Sequence, residues 1–98
     1  MNNAKIYLLV QLTVQPEFLD AVKAILKDAL APTLEEPGCE ALFETSRNDS
    51  PHRLVFFEVF SSPEAHRFHL AQDYTKKMFS ALEGKLAEAP TMTALNAL

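Results

Sequence analysis

The side chains best suited to acid–base chemistry lie in and just after the stretch "RLVFFEVFSSPEAHRFH", residues 53–69. Its Glu58 interrupts an otherwise apolar segment, and His69 closes it on a predicted helix that is followed by Tyr74. An imidazole is the usual base at neutral pH, while a carboxyl group in apolar surroundings must be hydrogen-bonded, paired or protonated. Gln11 adds an amide in the middle of the first predicted strand. These four residues are the candidates for a functional site.

Each candidate also has a structural explanation. Glu58 could be satisfied by Arg53 or Arg67, or reach solvent at a sheet edge, instead of orienting a histidine or accepting a substrate proton. A single helix histidine such as His69 is more often a hydrogen-bonded structural residue. The ring of Tyr74 could pack in the core while its phenol donates a hydrogen bond. The residues alone leave both explanations open.

The other histidines and the cysteine do not predict a metal site. His66 lies about 60° around the helix from His69 and is expected on the solvated side, and His52 belongs to a polar loop. The two helix histidines have no cysteine or well-placed carboxylate beside them, so we predict no metal. Cys39 follows a Pro-Gly turn and, as the only cysteine, is expected to be a small buried apolar residue.

Length, composition and charge limit the classes of protein to which the chain can belong. The 98 residues, 48% of them hydrophobic, fit one globular domain that spans the whole chain, 1–98. A net charge of -4 with scattered basic residues argues against nucleic-acid binding. The first 15 residues lack the order of parts of a signal peptide, and no apolar run is long enough to cross a membrane. We predict a cytoplasmic protein with no membrane partner.

Hydrophobic periodicity predicts a string of strands and helices. The elements are a strand at 6–15, a helix opening at Pro16 that Pro32 ends or bends, strands at 39–46 and 53–60, a helix to about Gln72, a second helical segment after Asp73, and a strand in 91–98. Ser61 or Ser62 caps the second helix. The segment after Asp73 carries Tyr74, Met78, Leu82 and Leu86 on a common side until Pro90 closes it.

This βαββαβ order predicts an α+β fold, a ferredoxin-like antiparallel sheet with both helical layers on one face. The opposite face of such a sheet is normally polar. Here it cannot be polar, because Leu54, Phe56 and Phe60 make one face of the 53–60 strand apolar and Val55, Phe57 and Val59 make the other face apolar. Because apolar surface is costly to leave in water, we expect a second copy of the sheet to cover it. The sequence therefore predicts a homodimer.

The ordered set of segments resembles a known family. An "EEPGC" turn, a strand with "FFEVF", a helix start "SSPEAHRFH" and a tyrosine five residues later are similar to the antibiotic biosynthesis monooxygenase family. The likeness covers nearly the whole chain and is nearest to small quinol-monooxygenase-like and autoinducer-2-degrading members. It implies ferredoxin-like dimers whose two sheets form an α/β barrel, in agreement with the dimer expected from apolarity.

The resemblance also implies chemistry without a cofactor, in which the substrate itself reduces O₂ after losing a proton. It implies His69 as base, Glu58 as the residue that orients it, and Tyr74 and Gln11 as substrate-binding residues. Heme-degrading relatives use an asparagine on the first strand, near Gln11, together with a tryptophan. This chain has no tryptophan, which argues against heme degradation.

The leading hypothesis is therefore a cofactor-independent monooxygenase acting on a small aromatic or quinol-like compound. Two alternatives remain. The same base and donors could isomerise a small hydroxy-diketone, as in the autoinducer-2-degrading type, because proton abstraction next to a carbonyl needs the same groups. The chain could also be a dimeric barrel that binds a ligand without turnover.

Overall fold

The computed structural model describes residues 4–98, which form a four-stranded antiparallel sheet and three α-helices. The strands lie in the order β2-β3-β1-β4, so β3 and β1 are central and β2 and β4 are edges. This is the α+β ferredoxin-like fold that the sequence predicts. The elements are β1 (Ile6–Thr13), α1 (Leu19–Leu34), β2 (Cys39–Arg47), β3 (Ser50–Phe60), α2 (Pro63–Ala71), α3 (Asp73–Leu82) and β4 (Thr91–Leu95).

Strand alternation gives the sheet two faces, which we call inner and outer. The inner face packs against the helices. The core consists of inner-face strand residues and of residues from α1 and α3, namely Leu8, Val10, Leu12, Leu54, Phe56, Val22, Leu26 and Leu82. The outer face carries Tyr7, Leu9, Phe43, Phe57 and Val59, which are cross-strand neighbours in the observed register. Among the described residues, no helix is long and apolar enough to cross a lipid bilayer.

The first helix and the hairpin differ slightly from the predicted bounds. A 3₁₀ turn at Pro16–Phe18 precedes α1, and α1 continues through Pro32 to Leu34. Pro32 lies in the last turn, and the helix ends two residues after it. The predicted polar loop before Arg53 is a two-residue turn, because the strands pair as far as Arg47 and Ser50.

The last helix ends earlier than predicted. It stops at Leu82, and Gly84 adopts a left-handed conformation with φ 81°. A glycine in this conformation just after a helix is a common helix stop, because other residues are strained there. Leu86 therefore lies beyond the helix, although it still packs against the core.

Two local contacts fix the start of α2. The Ser62 side chain accepts a hydrogen bond from the Ala65 backbone N–H at 3.1 Å, so Ser62 is the N-cap and Ser61 is not. The Ser61 N–H donates to the Gly38 carbonyl at 2.8 Å, which joins the turn before β2 to the turn before α2. A Cβ at position 38 would overlap the Cβ of Ala65. Glycine at 38 is thus required by close approach.

The contact between Gly38 and Ala65 predicts a compensating pair of substitutions. Gly38→Ala should lower the free energy of unfolding by about 1–3 kcal/mol, because the new methyl overlaps α2. Adding Ala65→Gly should restore part of that loss, although glycine in a helix itself costs about 0.5–1 kcal/mol. Urea unfolding of the parent, both single variants and the double variant measures the coupling. Additive effects of the two substitutions would contradict the contact.

Candidate functional site

The inner face of the sheet and the helices enclose a cavity of about 450 Å³. Its apolar walls come from β1, β3, α1 and α3, and include Val10, Phe56, Leu26, Met78 and Leu82. Its polar lining includes Glu58 from the central strand β3 and His69 from α2. This volume is in the range of small-molecule sites, which are concave and mostly apolar with a few polar groups. The fold thus brings Glu58 and His69 to one cavity.

His69 is held by a buried carboxylate. Its Nδ1 lies 2.8 Å from Oε2 of Glu36, and the two residues are 9% and 6% exposed. The ring also packs on Phe60, with centroids 5.2 Å apart. The orienting carboxylate of His69 is therefore Glu36, whereas the sequence analysis gave that part to Glu58.

Tyr74 belongs to the same hydrogen-bonded group. Its hydroxyl donates to Oε2 of Glu36 and also approaches the carbonyl of Pro32 at 3.4 Å. Burial and the hydrogen bond to Glu36 raise the pKa of the Tyr74 phenol, so the phenol stays protonated and acts as a donor. Tyr74 is not among the cavity-lining residues. The structure places it behind His69, against Glu36, and not against a ligand in the cavity.

This arrangement selects one form of the imidazole. A carboxylate can only accept hydrogen bonds, so Oε2 of Glu36 accepts from Nδ1–H of His69 as well as from Tyr74. The lone pair then lies on Nε2, which has no hydrogen-bond partner among residues 4–98. A histidine held through one nitrogen by a carboxylate, with the other nitrogen free, is the arrangement of a general base.

The short connection between α1 and β2 places Glu36. The Glu36 N–H donates to the Thr33 carbonyl at 3.0 Å, and the Cys39 N–H donates to the Glu36 carbonyl at 3.1 Å. The resulting turn packs its Gly38 on Ala65, one helical turn before His69. Glu36 therefore reaches His69 because the glycine allows the turn to approach the helix closely.

Sequence reasoning missed Glu36 as a site residue. The "EEPGC" motif drew attention to the turn and to Cys39, while the two acids before it were given no role. The signal was the position of an acid in a very short helix-to-strand connection, where little chain is available to reach solvent. Of the two, Glu35 is exposed and Glu36 is buried.

The carboxyl group of Glu58 has no hydrogen-bond or ion-pair partner among residues 4–98. It lies in a central strand, opposite Leu8 and Leu42, so it does not reach solvent at an edge. Within the part of the chain that the structure describes, neither Arg53 nor Arg67 pairs with it, and Arg67 contacts Glu64 instead. Burial raises the pKa of the Glu58 carboxyl, and the charge of His69 opposes this rise. The carboxyl group is thus available to a ligand.

A second carboxyl group, Glu44 of β2, lies near Glu58. Glu44 is opposite Phe56 and Glu58 is opposite Leu42, so the two acids are diagonal neighbours on the inner face. Both line the cavity. Burial, and then the charge of Glu58, raise the pKa of Glu44 to about 7. Sequence analysis did not single out Glu44, because nothing in β2 marks which of its polar residues faces inward.

Two further expectations need correction. His66 is half-buried and lines the cavity, with its ring centroid 5.1 Å from that of Phe60, so it does not point to solvent. Burial lowers the pKa of its imidazole. Cys39 is only partly buried, and its pKa is raised by desolvation and by the nearby charges of Glu36 and Glu58.

Gln11 does not join the other candidates. It is exposed and pairs with Val55 and Thr91, which places it on the outer face of the sheet. Glu58 faces inward because β1 and β3 alternate in register, so the two side chains lie on opposite sides of the sheet. Gln11 lines only a small pocket of about 90 Å³ that also includes Arg53 and Glu88. Within the single chain, Gln11 is therefore not at the cavity that His69 lines.

No three histidine, cysteine, aspartate or glutamate side chains within residues 4–98 are arranged so that they could hold a metal ion. Glu36, which lies next to His69, already accepts two hydrogen bonds on Oε2. The donor set of this cavity, one oriented imidazole with carboxyl groups and apolar walls, is suited to moving protons on a small organic ligand.

Comparison with protein families gives a match over most of the chain. The model of the antibiotic biosynthesis monooxygenase family matches residues 5–81, from β1 to near the end of α3. The matched segment includes Glu36, Glu58, His69 and Tyr74. None of the curated proteins matches the chain.

Solved structures share the whole fold. A candidate antibiotic biosynthesis monooxygenase from Caulobacter crescentus CB15 is 26% identical, with a TM-score of 0.91 over 98% of this chain and 92% of that one. A candidate of the same type from Nitrosomonas europaea is 16% identical, with a TM-score of 0.92 over 100% and 94% of the two chains. A protein from Mycobacterium tuberculosis is 22% identical, with a TM-score of 0.91 over 97% and 96%.

The carboxyl group of Glu44 predicts a pH-dependent stability. The folded protein binds the Glu44 proton up to about pH 7, whereas the unfolded chain releases it near pH 4.5. Between these values the folded state holds more protons, so stability falls as pH rises. Glu44→Gln should remove this loss, which we expect to be about 1–2 kcal/mol after screening by solvent.

Urea unfolding of both proteins at about pH 5 and about pH 8 measures the difference. Asp28→Asn, which changes an exposed acid on α1, is the matched control and should keep the loss seen in the parent. A pH dependence that is the same in Glu44→Gln and in the parent would show that Glu44 titrates normally.

Proposed function

Since the chain belongs to the antibiotic biosynthesis monooxygenase family, we propose that it oxidises a small aromatic, quinol-like compound with O₂ and without a metal or flavin. The observation that carries the proposal is the Glu36–His69 pair, which leaves Nε2 of His69 free at an apolar cavity of about 450 Å³. A ligand that fills such an apolar cavity displaces water from it, which strengthens the electrostatic effect of the few polar groups there.

The reaction needs only proton transfer from the protein. Nε2 of His69 removes a hydroxyl proton from the quinol, and the resulting electron-rich anion reduces O₂. One oxygen atom forms a bond to a ring carbon and the other leaves as water. The substrate loses four electrons, which O₂ accepts, and becomes a hydroxyquinone. A quinol and O₂ thus give a hydroxyquinone and one water, with no other reductant.

Each polar residue then has a separate part. Glu36 and Tyr74 hold the imidazole and stabilise the positive charge that His69 gains with the proton. Glu58 faces the ligand, and its raised pKa suits it to donate a hydrogen bond or a proton to the reduced oxygen that leaves. His69 is the catalytic base, Glu58 a second catalytic group, and Glu36 and Tyr74 are positioning residues.

One observation favours an isomerase as the second candidate. An acid and a base, Glu58 and His69, line the same cavity, and burial raises the pKa of the acid. A base that takes a proton next to a carbonyl, with an acid that protonates the enolate at another atom, isomerises a hydroxy-diketone without consuming O₂. Oxygen uptake separates the two reactions.

Assembly into a homodimer forms part of the proposal. The outer face is apolar across β2, β3 and β1, and its Phe43 is 61% exposed in the single chain. Cross-strand partners on this face form two apolar rows that run across the strands. One row consists of Phe43, Phe57 and Leu9, and the other of Ala41, Val59, Tyr7 and Leu95. Two such faces packed together would bury these rows in a sheet-on-sheet interface. Gln11 would then lie at the interface between subunits.

The base assignment predicts the activity of three variants. With hydroquinone as substrate in an oxygen electrode, His69→Ala should lose about 10²-fold or more of the parent rate. Glu36→Gln should lose about 10-fold or more, since the amide still accepts from Nδ1–H but carries no charge. His52→Ala, a histidine outside the cavity lining, should keep the parent rate.

NMR of the protein with ¹⁵N-labelled histidine distinguishes a role of Glu36 in positioning His69 from a merely structural role. In the parent, His69 should be in the Nδ1–H form, and Glu36→Leu should lose this preference while the fold is retained. If His69→Ala consumes oxygen as fast as the parent, the base assignment is wrong. Turnover of a hydroxy-diketone without oxygen uptake would instead support the isomerase.

The dimer predicts different effects for two similarly exposed phenylalanines. Phe43→Glu places a charge on the outer face and should give a folded monomer near 11.0 kDa in light scattering, where the parent gives twice that mass. Phe68→Glu, on the helical side of the molecule and 51% exposed, should leave the dimer intact. A parent protein that is monomeric at micromolar concentration would refute the interface.

A further inference from the structure

The ionisable groups that line the cavity are all acids or histidines. None of the lysines or arginines of the described chain is among the lining residues. The groups that face the cavity are Glu44 from β2, Glu58 from β3, His66 and His69 from α2, and Glu83 and Glu88 from the segment after α3. The cavity therefore offers negative charge to a ligand and no fixed positive charge.

Glu44 and Glu58 differ from the other acids because nothing in residues 4–98 bonds to either carboxyl group. Glu36 accepts from His69 and Tyr74, Glu88 accepts from Thr13 at 2.8 Å, and Glu83 is exposed. Glu44 and Glu58 are half-buried neighbours on the same wall, beside Phe56. Two adjacent carboxyl groups that have no protein donors and face a mostly apolar cavity are suited to a ligand that supplies the donors.

A second observation points independently to a ligand in the same space. His69 is 9% exposed and lines the cavity, and its Nε2 has no partner among the described residues. A ring nitrogen of a cavity-lining histidine that has no protein partner is available to a bound molecule. The apolar walls, which include Val10, Phe56 and Met78, lie between these polar groups and suit a flat, apolar ring.

We propose that the cavity selects phenols and catechols that carry a protonated aminoalkyl side chain and rejects the carboxylated or phosphorylated analogues. The ammonium group donates to the carboxylate of Glu44 and to the carbonyl oxygen of the Glu58 carboxyl group, the ring packs between the apolar walls, and a ring hydroxyl donates to Nε2 of His69. This inference deepens the proposed function, on which it rests for the part of His69, by naming the charge class of the substrate.

Electrostatics determines the direction of the selectivity. Hydrogen bonds from an ammonium to a carboxylate are roughly twice as strong as neutral ones, and an ammonium has three donors for the two carboxyl groups. A ligand with an anionic side chain would place its negative charge next to the acids of the cavity. The repulsion is stronger in these surroundings of low dielectric than in water, so the ligand is rejected. A neutral side chain should fall between the two.

The raised pKa of Glu44 gives the selectivity a pH dependence. Because the pKa is about 7, the Glu44 carboxyl is protonated in mildly acidic solution and ionised in mildly alkaline solution. Binding of a cation should therefore strengthen as pH rises through this range and should release protons from the site.

Three catechols with two-carbon side chains test the inference by calorimetry. Dopamine carries an ammonium, hydroxytyrosol a neutral hydroxyl and homoprotocatechuate a carboxylate. Under argon, in mildly alkaline buffer, dopamine should bind the parent protein about 10-fold or more tightly than hydroxytyrosol, with homoprotocatechuate weaker again by a similar factor. Argon prevents oxidation, so binding is measured without turnover.

Variants assign the effect to the two acids. In the double variant Glu44→Gln, Glu58→Gln the three affinities should fall within about threefold of one another. Asp28→Asn, an exposed acid on α1, should keep the parent order. Equal binding of dopamine and hydroxytyrosol, no binding of any catechol, or an unchanged order in the double variant would each overturn the inference. Correct selectivity without oxygen uptake would support it while refuting the proposed oxidation.

Discussion

The buried contact between Glu36 and His69 is the interaction on which the rest of the site depends. It joins the turn after α1 to the last turn of α2, and Tyr74 adds the start of α3 through the same carboxylate oxygen. One oxygen thus links three elements of the helical layer. Oε1 of Glu36 has no partner among the described residues, so the network concentrates its hydrogen bonds on one side of the carboxylate. Loss of this carboxylate would leave a buried imidazole and a buried phenol without their acceptor, which is costly.

Much of the fold follows from sequence patterns that are local. Alternation in β1 and β3 and the serines before Pro63 predict the strands and the start of α2. Because both faces of these strands are apolar, the alternation did not show which face packs against the helices. The end of α3 was misjudged because an apolar residue, Leu86, continued the helical spacing beyond Gly84. The glycine decided the outcome, since a left-handed residue stops a helix even when the hydrophobic pattern continues.

Less of the site than of the fold could be predicted from the sequence. His69 and Glu58, both named as candidates from the sequence, line one cavity, whereas Gln11 lies on the other face of the sheet. Glu36 and Glu44 were missed because their surroundings depend on contacts between distant segments. Glu36 meets His69 across 33 residues of chain through the approach of Gly38 to Ala65. Such contacts depend on tertiary packing, which periodicity does not describe.

The edge strand β4 has a consequence for how molecules enter the cavity. It has five residues, all of them exposed, and it pairs only with β1. Segments with few buried contacts open at a small fraction of the global free energy of unfolding, and their amides exchange with solvent fastest. Thr91 and Met92 of this strand form part of the cavity wall. Local fraying of β4 would therefore open a passage while the helices and the Glu36–His69 pair stay in place.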